Sequence, residues 1–102
     1  MVNNGYKYLL YIWIIFKSNI HGNLLIILSM TFQGICYQTG MGVEQDLNEA
    51  IRLYRSSADQ GNVNSQIRLG FLYQHGNGVE KNEEKAFKLY YSAARTGIYM
   101  ML

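Results

Sequence analysis

The sequence contains no proline and a single cysteine, Cys36, and only 16% of its 102 residues are charged. The missing proline argues against a linker-rich chain and leaves helices free to run uninterrupted. One cysteine excludes an intrachain disulfide and a cysteine-held metal cluster. Cys36 sits among apolar neighbours and reads as a small buried side chain, compatible with a reducing compartment but not requiring one. Sparse charge with 49% hydrophobic residues argues against disorder and is enough for one small domain with a core. A functional basic excess is also missing. The net charge of +2 comes from Lys7 and Lys17, whereas seven acids and seven bases balance from Glu44 onward. With no basic stripe, nucleic acid is not an expected partner. His21 and His75 are not spaced as ligands, and no Ser/His/Asp arrangement can be assembled. The expectation is therefore a chain that is not an enzyme, with no catalytic residue, cofactor or metal.

What the chain does contain is a repeat. Shifted by 36 residues, Gly34–Gly61 falls on Gly70–Gly97 without a gap, and 13 of the 28 aligned positions are identical. A period of this size means stacked helical units. In each unit a leading helix carries an internal glycine, Gly34 or Gly70. That residue costs about 1 kcal/mol relative to alanine in a helix, so its recurrence points to close helix–helix approach. The first leading helix is expected from about Leu24 to Gln38. In the second, Asn62 is the N-cap and Ile67, Leu69, Gly70, Leu72 and Tyr73 form the apolar face.

Each leading helix stops at a Gly-x-Gly-Val loop: Gly40-Met41-Gly42-Val43 and Gly76-Asn77-Gly78-Val79. The glycines permit a sharp reversal and the valine can plug inward. A phosphate loop would need a preceding strand, a third glycine and a Lys-Ser/Thr pair, none of which is here. The second helices open on Asp46 and Asn82. Asp46 with Glu49 resembles a capping box. Ala50, Leu53, Tyr54, Ser57 and Ala58 form one stripe, widened by Ile51. Ala86, Leu89, Tyr90, Ala93 and Ala94 form its counterpart, widened by Phe87. Gly61 and Gly97 are expected to close these helices. Tyr37, Tyr54, Tyr73 and Tyr90 occupy equivalent positions, so their first explanation is packing. Arg52, Arg55, Gln74, Lys88 and Tyr91 lie off the stripes and are the candidate partner contacts.

These residues resemble the Sel-one-like repeat, a helix-turn-helix unit of the tetratricopeptide-related α-solenoids. The second unit matches closely over Leu69–Gly97, with Asn82 at the usual aspartate. The first matches over Gly34–Gly61, with Gln33 at the leucine position and Ser57 at the first alanine of a pair. The resemblance implies an all-α fold, a short solenoid of antiparallel helix pairs with units at 31–61 and 62–97, and residues 98–102 beginning a further helix. It implies a non-enzymatic protein-interaction module, an adaptor or scaffold with protein or peptide partners in signalling or in membrane-associated assembly, including quality control at the endoplasmic reticulum. Cysteine-rich relatives linked to β-lactam chemistry carry paired cysteines in each unit. Cys36 stands alone here, with Leu72 at the equivalent position, so that activity is not carried over. Two units without polar caps leave ends that need cover, and self-association or membership of a longer array is expected.

Residues 1–30 read differently. Tyr8–Phe16 and Leu24–Leu28 are apolar runs, separated by a polar break at Lys17–Asn23. Three readings stand open. A signal peptide lacks a convincing cleavage site. A membrane anchor, the basis of the alternative of a membrane-anchored subunit, must carry Lys17 at a cost of roughly 2.5–3.5 kcal/mol. Otherwise the segment forms short helices buried on the repeats, or is a misassigned gene start. The expected location is cytoplasmic, or membrane-associated if the anchor holds.

Overall fold

The computed structural model describes residues 20–101 as four helices: α1 (Ile20–Thr39), α2 (Leu47–Asp59), α3 (Val63–His75) and α4 (Glu83–Met101). There is no strand among the described residues. Each helix packs on its neighbour in sequence, α1 on α2, α2 on α3 and α3 on α4. Paired positions run in opposite directions along each hairpin: Tyr54 meets Gly34 while Ser57 meets Thr31, and Asn82 meets Tyr73 while Tyr90 meets Gly70. The fold is thus the all-α solenoid of antiparallel helix pairs. Residues 1–19, with most of the expected apolar segment, lie outside the described residues. Residues 20–30 form the first half of α1, so the polar break expected to end at Asn23 is already helical from Ile20. No helix among the described residues is long and apolar enough to cross a membrane.

The ends of the helices follow local chemistry. Asp46, Asn62 and Asn82 each accept a hydrogen bond from the backbone N–H three residues on, at 3.2, 2.8 and 3.0 Å. The capping box at α2 is only half formed, because the Glu49 carboxylate turns instead to the Arg52 guanidinium, at 3.0 and 2.6 Å. Gly61 turns the chain at φ +90. Its N–H donates to the Ala58 carbonyl at 2.9 Å while the Asn62 N–H reaches Ser57 at 3.1 Å.

Gly97 does not repeat this, contrary to expectation: α4 continues through it to Met101. Gly61 is followed by Asn62, which caps the next helix. Gly97 is followed by Ile98-Tyr99-Met100, which offers no cap and continues the helix instead. A side chain at Gly97 would meet nothing within 4 Å. Gly97→Ala is therefore expected to stabilise the chain by about 0.5–1 kcal/mol, read as a higher urea midpoint by circular dichroism. A lower midpoint would show that Gly97 is needed as a helix end.

The glycines inside the leading helices are notches for tyrosine rings. A Cβ on Gly34 would lie 2.6 Å from Cε1 of Tyr54, and one on Gly70 would lie 2.8 Å from Cε1 of Tyr90. Each ring ends in the same bond: Tyr54 Oη donates to Gln38 Oε1 at 2.6 Å and Tyr90 Oη to Gln74 Oε1 at 2.8 Å. The loops repeat as well, with Asp46 N–H on the Tyr37 carbonyl and Asn82 N–H on the Tyr73 carbonyl, both at 2.9 Å.

The core gathers Ala50, Ile51, Tyr54, Ala58, Leu69, Leu72, Tyr73 and Ala86. A polar knot sits inside it. Thr31 Oγ1 lies 2.7 Å from Ser57 Oγ and 2.8 Å from Ser65 Oγ, and it donates to the Ile27 carbonyl at 3.0 Å, tying α1, α2 and α3 together. All three hydroxyls are buried, and their mutual bonds offset the cost of taking them out of water. This explains Ser57 at a position where the pattern has alanine.

Burial differs between equivalent positions. Ile51 is 5% exposed, while Phe87, its counterpart, is 67% exposed. Ala58 is buried but Ala94 is exposed, and Val79 packs on the core while Val43 stays exposed. The cause is stacking. A Cβ at Gly78 would meet Ile51 at 2.9 Å and Leu47 at 3.3 Å, so the second loop lies on α2. Among the described residues nothing lies in the same way on α4. Cys36 is partly rather than fully buried.

Candidate functional site

Among the described residues no group of three or more His, Cys, Asp or Glu could hold a metal ion. His75 ends α3, with its ring 4.2 Å from that of Phe71 and its Nδ1 3.0 Å from the Phe71 carbonyl oxygen. That oxygen can only accept, so the imidazole donates, and the residue closes its own helix.

Two grooves carry the most chemistry. The first, of about 330 Å3, is lined by Gln38, Asn64, Ile67, Arg68 and Phe71. Ile67 and Phe71 are 47% and 49% exposed. Ile67 was expected on the buried face, but it follows the rim of α3 because Leu69, Leu72 and Tyr73 take the core side. The polar groups here are held in place. Arg68 Nε donates to Asn64 Oδ1 at 2.8 Å, and Gln38 Oε1 accepts from Tyr54. Burial pushes the Tyr54 phenol above its ordinary pKa, and the Arg68 charge pulls the other way. The groove therefore offers apolar surface beside oriented donors.

The second groove, of about 380 Å3, lies between α2 and the start of α4 and is lined by Arg55, Tyr73, Val79, Glu80, Lys81, Asn82 and Lys85. Its floor is the Tyr73 ring, 7% exposed. Arg55 donates from a terminal nitrogen to Tyr73 Oη at 2.7 Å, with its guanidinium carbon 6.0 Å from the ring centroid. Lys85 Nζ lies 5.3 Å from the same centroid.

All five residues proposed from sequence as partner contacts are exposed, but they do not share one surface. Arg55 lines the second groove. Arg52 stands beside it, in a smaller cleft with Ile51 and Gly78, and its hydrogen bonds hold the Glu49 carboxyl below the usual range. Gln74 is occupied by Tyr90. Lys88 pairs with Glu84 at 3.3 Å. Tyr91 stacks on Phe87 on α4, at 6.1 Å between centroids, under Arg95. Arg68, Phe71, Lys81 and Lys85 do not stand out in the sequence as contact residues. Their one visible signal is that each differs from its counterpart in the other copy: Phe32, Ile35, Gln45 and Glu49.

The chain is similar to two proteins over part of its length. DAP3-binding cell death enhancer 1 of Rattus norvegicus is 50% identical over 36 residues, which is 35% of this chain and 7% of that protein. The crystal structure of a Sel1 repeat protein from Oxalobacter formigenes superposes with a TM-score of 0.66 at 35% identity, covering 68% of this chain and 28% of that one. This chain thus spans a small part of either. The family model for the Sel1 repeat matches twice in succession, over residues 28–62 and 63–97, so the chain belongs to the Sel1 repeat family.

Proposed function

We propose that the chain is a non-enzymatic protein-interaction module, an adaptor or scaffold that takes a segment of a protein partner along the groove between α1 and α3. The observation that carries this reading is the groove itself. Ile67 and Phe71 are half exposed on a rigid helix, next to Arg68 and Gln38, which are already oriented by hydrogen bonds. Exposed apolar side chains ringed by polar groups mark interaction surfaces, and pre-oriented groups lose little freedom on binding. Membership of the Sel1 repeat family supports a protein as the class of partner, as does a relative named for binding DAP3.

The test uses the full chain as bait, with Phe71→Ser beside Phe87→Ser, an exposed aromatic on α4 that does not line the groove, as the control. Loss of an aromatic anchor is expected to weaken capture about tenfold or more, with helicity unchanged and Phe87→Ser behaving as the parent chain. Equal capture by the parent chain and Phe71→Ser would overturn the reading.

A further inference from the structure

The two repeats build the same groove twice, with opposite charge. Tyr37, Val43, Glu44, Gln45 and Asp46 line the first version. Adding 36 to each number gives Tyr73, Val79, Glu80, Lys81 and Asn82, which line the second. The backbone bond that shapes the loop is the same in both, at 2.9 Å. Shape is inherited from the repeat, but charge is not. The first version has carboxylates at Glu44 and Asp46, with Glu49, one turn into α2, already paired with Arg52. The second keeps Glu80, loses the charge at Asn82 and gains ammonium groups at Lys81 and Lys85. Arg55 enters from α2 as a third cation.

These cations are not all neutralised. Lys81 lies 3.5 Å from Glu83. Arg55 and Lys85 have no carboxylate within ion-pair distance among the described residues, yet both converge on the Tyr73 ring. Two like charges held at one ring repel each other, and the negative face of the ring, the Tyr73 hydroxyl, Glu80 at the rim and solvent offset this only in part. An anion entering between them would remove that repulsion and gain charge-assisted hydrogen bonds.

The geometry points to an acidic peptide segment as occupant of this second groove, with a Glu or Asp carboxylate held by Arg55 and Lys85 above Tyr73. A peptide fits better than a nucleic acid strand. Regularly spaced phosphates running on from this groove would meet the acidic version one repeat away, whereas a peptide can place its acids locally. The inference rests on the reading of the chain as a protein-interaction module but concerns a groove separate from the one at Phe71.

The experiment is fluorescence anisotropy of a labelled peptide of alternating Glu and Gly added to the full chain, with its Gln–Gly counterpart as control. The Glu peptide is expected to bind, more weakly as salt rises, and the Gln peptide not to bind. The double variant Arg55→Gln, Lys85→Gln should weaken binding about tenfold, the scale for two exposed charges, with unchanged helicity. Phe71→Ser should leave it unaltered. Failure of the Glu peptide to bind, equal binding of the two peptides, insensitivity to the double variant, or stronger binding of an oligothymidine would each overturn the inference. Partner capture that still depends on Phe71 would show that the module reading survives such a failure.

Discussion

Replacing Tyr54 by alanine is expected to lower stability by about 3–5 kcal/mol, the range for truncating a buried aromatic. That is a large share of the roughly 5–15 kcal/mol that holds a domain together. Tyr54 is 0% exposed. Its ring fills the notch at Gly34 and its hydroxyl ties α2 to Gln38 on α1. Alanine would remove both contacts and leave a cavity that a rigid glycine wall cannot close. Tyr54→Phe keeps the ring and should cost only about 0.5–1.5 kcal/mol, the value of the hydrogen bond. Urea unfolding followed by circular dichroism separates the two. A loss in Tyr54→Ala no larger than in Tyr54→Phe would mean that the ring contributes little. Tyr90→Ala should cost less than Tyr54→Ala, because Tyr90 is only partly buried.

The second large effect is the converse change, Gly34→Ala. Alanine is favoured over glycine in a helix by about 1 kcal/mol, so an open site would gain stability. At Gly34 the new methyl would stand 2.6 and 2.8 Å from two ring carbons of Tyr54. The ring has little room to retreat, because the core holds it on one side and Gln38 holds its hydroxyl. Overpacking of this kind costs about 1–3 kcal/mol, so destabilisation wins. The mechanism makes a further demand: in a Tyr54→Ala background the same substitution should be neutral or stabilising. That gives a coupling of about 0.5–3 kcal/mol in a double-mutant cycle. Strict additivity would refute the notch.

A duplicated letter marks packing where its partner lies within the same unit. Gly34 with Tyr54 and Gly70 with Tyr90 are two copies of one contact, whereas Ala58 and Ala94, or Val79 and Val43, share a letter but not a neighbour. The N-caps Asp46, Asn62 and Asn82 were legible for a similar reason: the bond is local and needs no neighbour. The knot of Thr31, Ser57 and Ser65 was not. It joins residues up to 34 positions apart, and its one trace was a serine where the repeat has alanine. The candidate sites were legible only in outline. Arg55 stood out as an off-stripe residue, but Lys85 acquires meaning only when α4 brings it to the ring that Arg55 already touches.

The sequence by itself determined the helix pairs, the period, the close approach at Gly34 and Gly70 and the N-caps, because each depends on contacts within a unit or on local backbone chemistry. Tertiary structure decided which copy of each stripe is covered. A stripe of apolar residues states that a face needs a neighbour, not whether one is there. Ile51 has the second repeat lying on it, and Phe87 has no such cover among the described residues. The grooves follow the same rule. Their shape comes from the repeated backbone, whereas their difference in charge comes from Asp46 and Glu49 in one copy, where the other has the neutral Asn82 and the cation Lys85, and from Lys81 where the first has the neutral Gln45. These are solvent-facing positions that packing leaves free to differ.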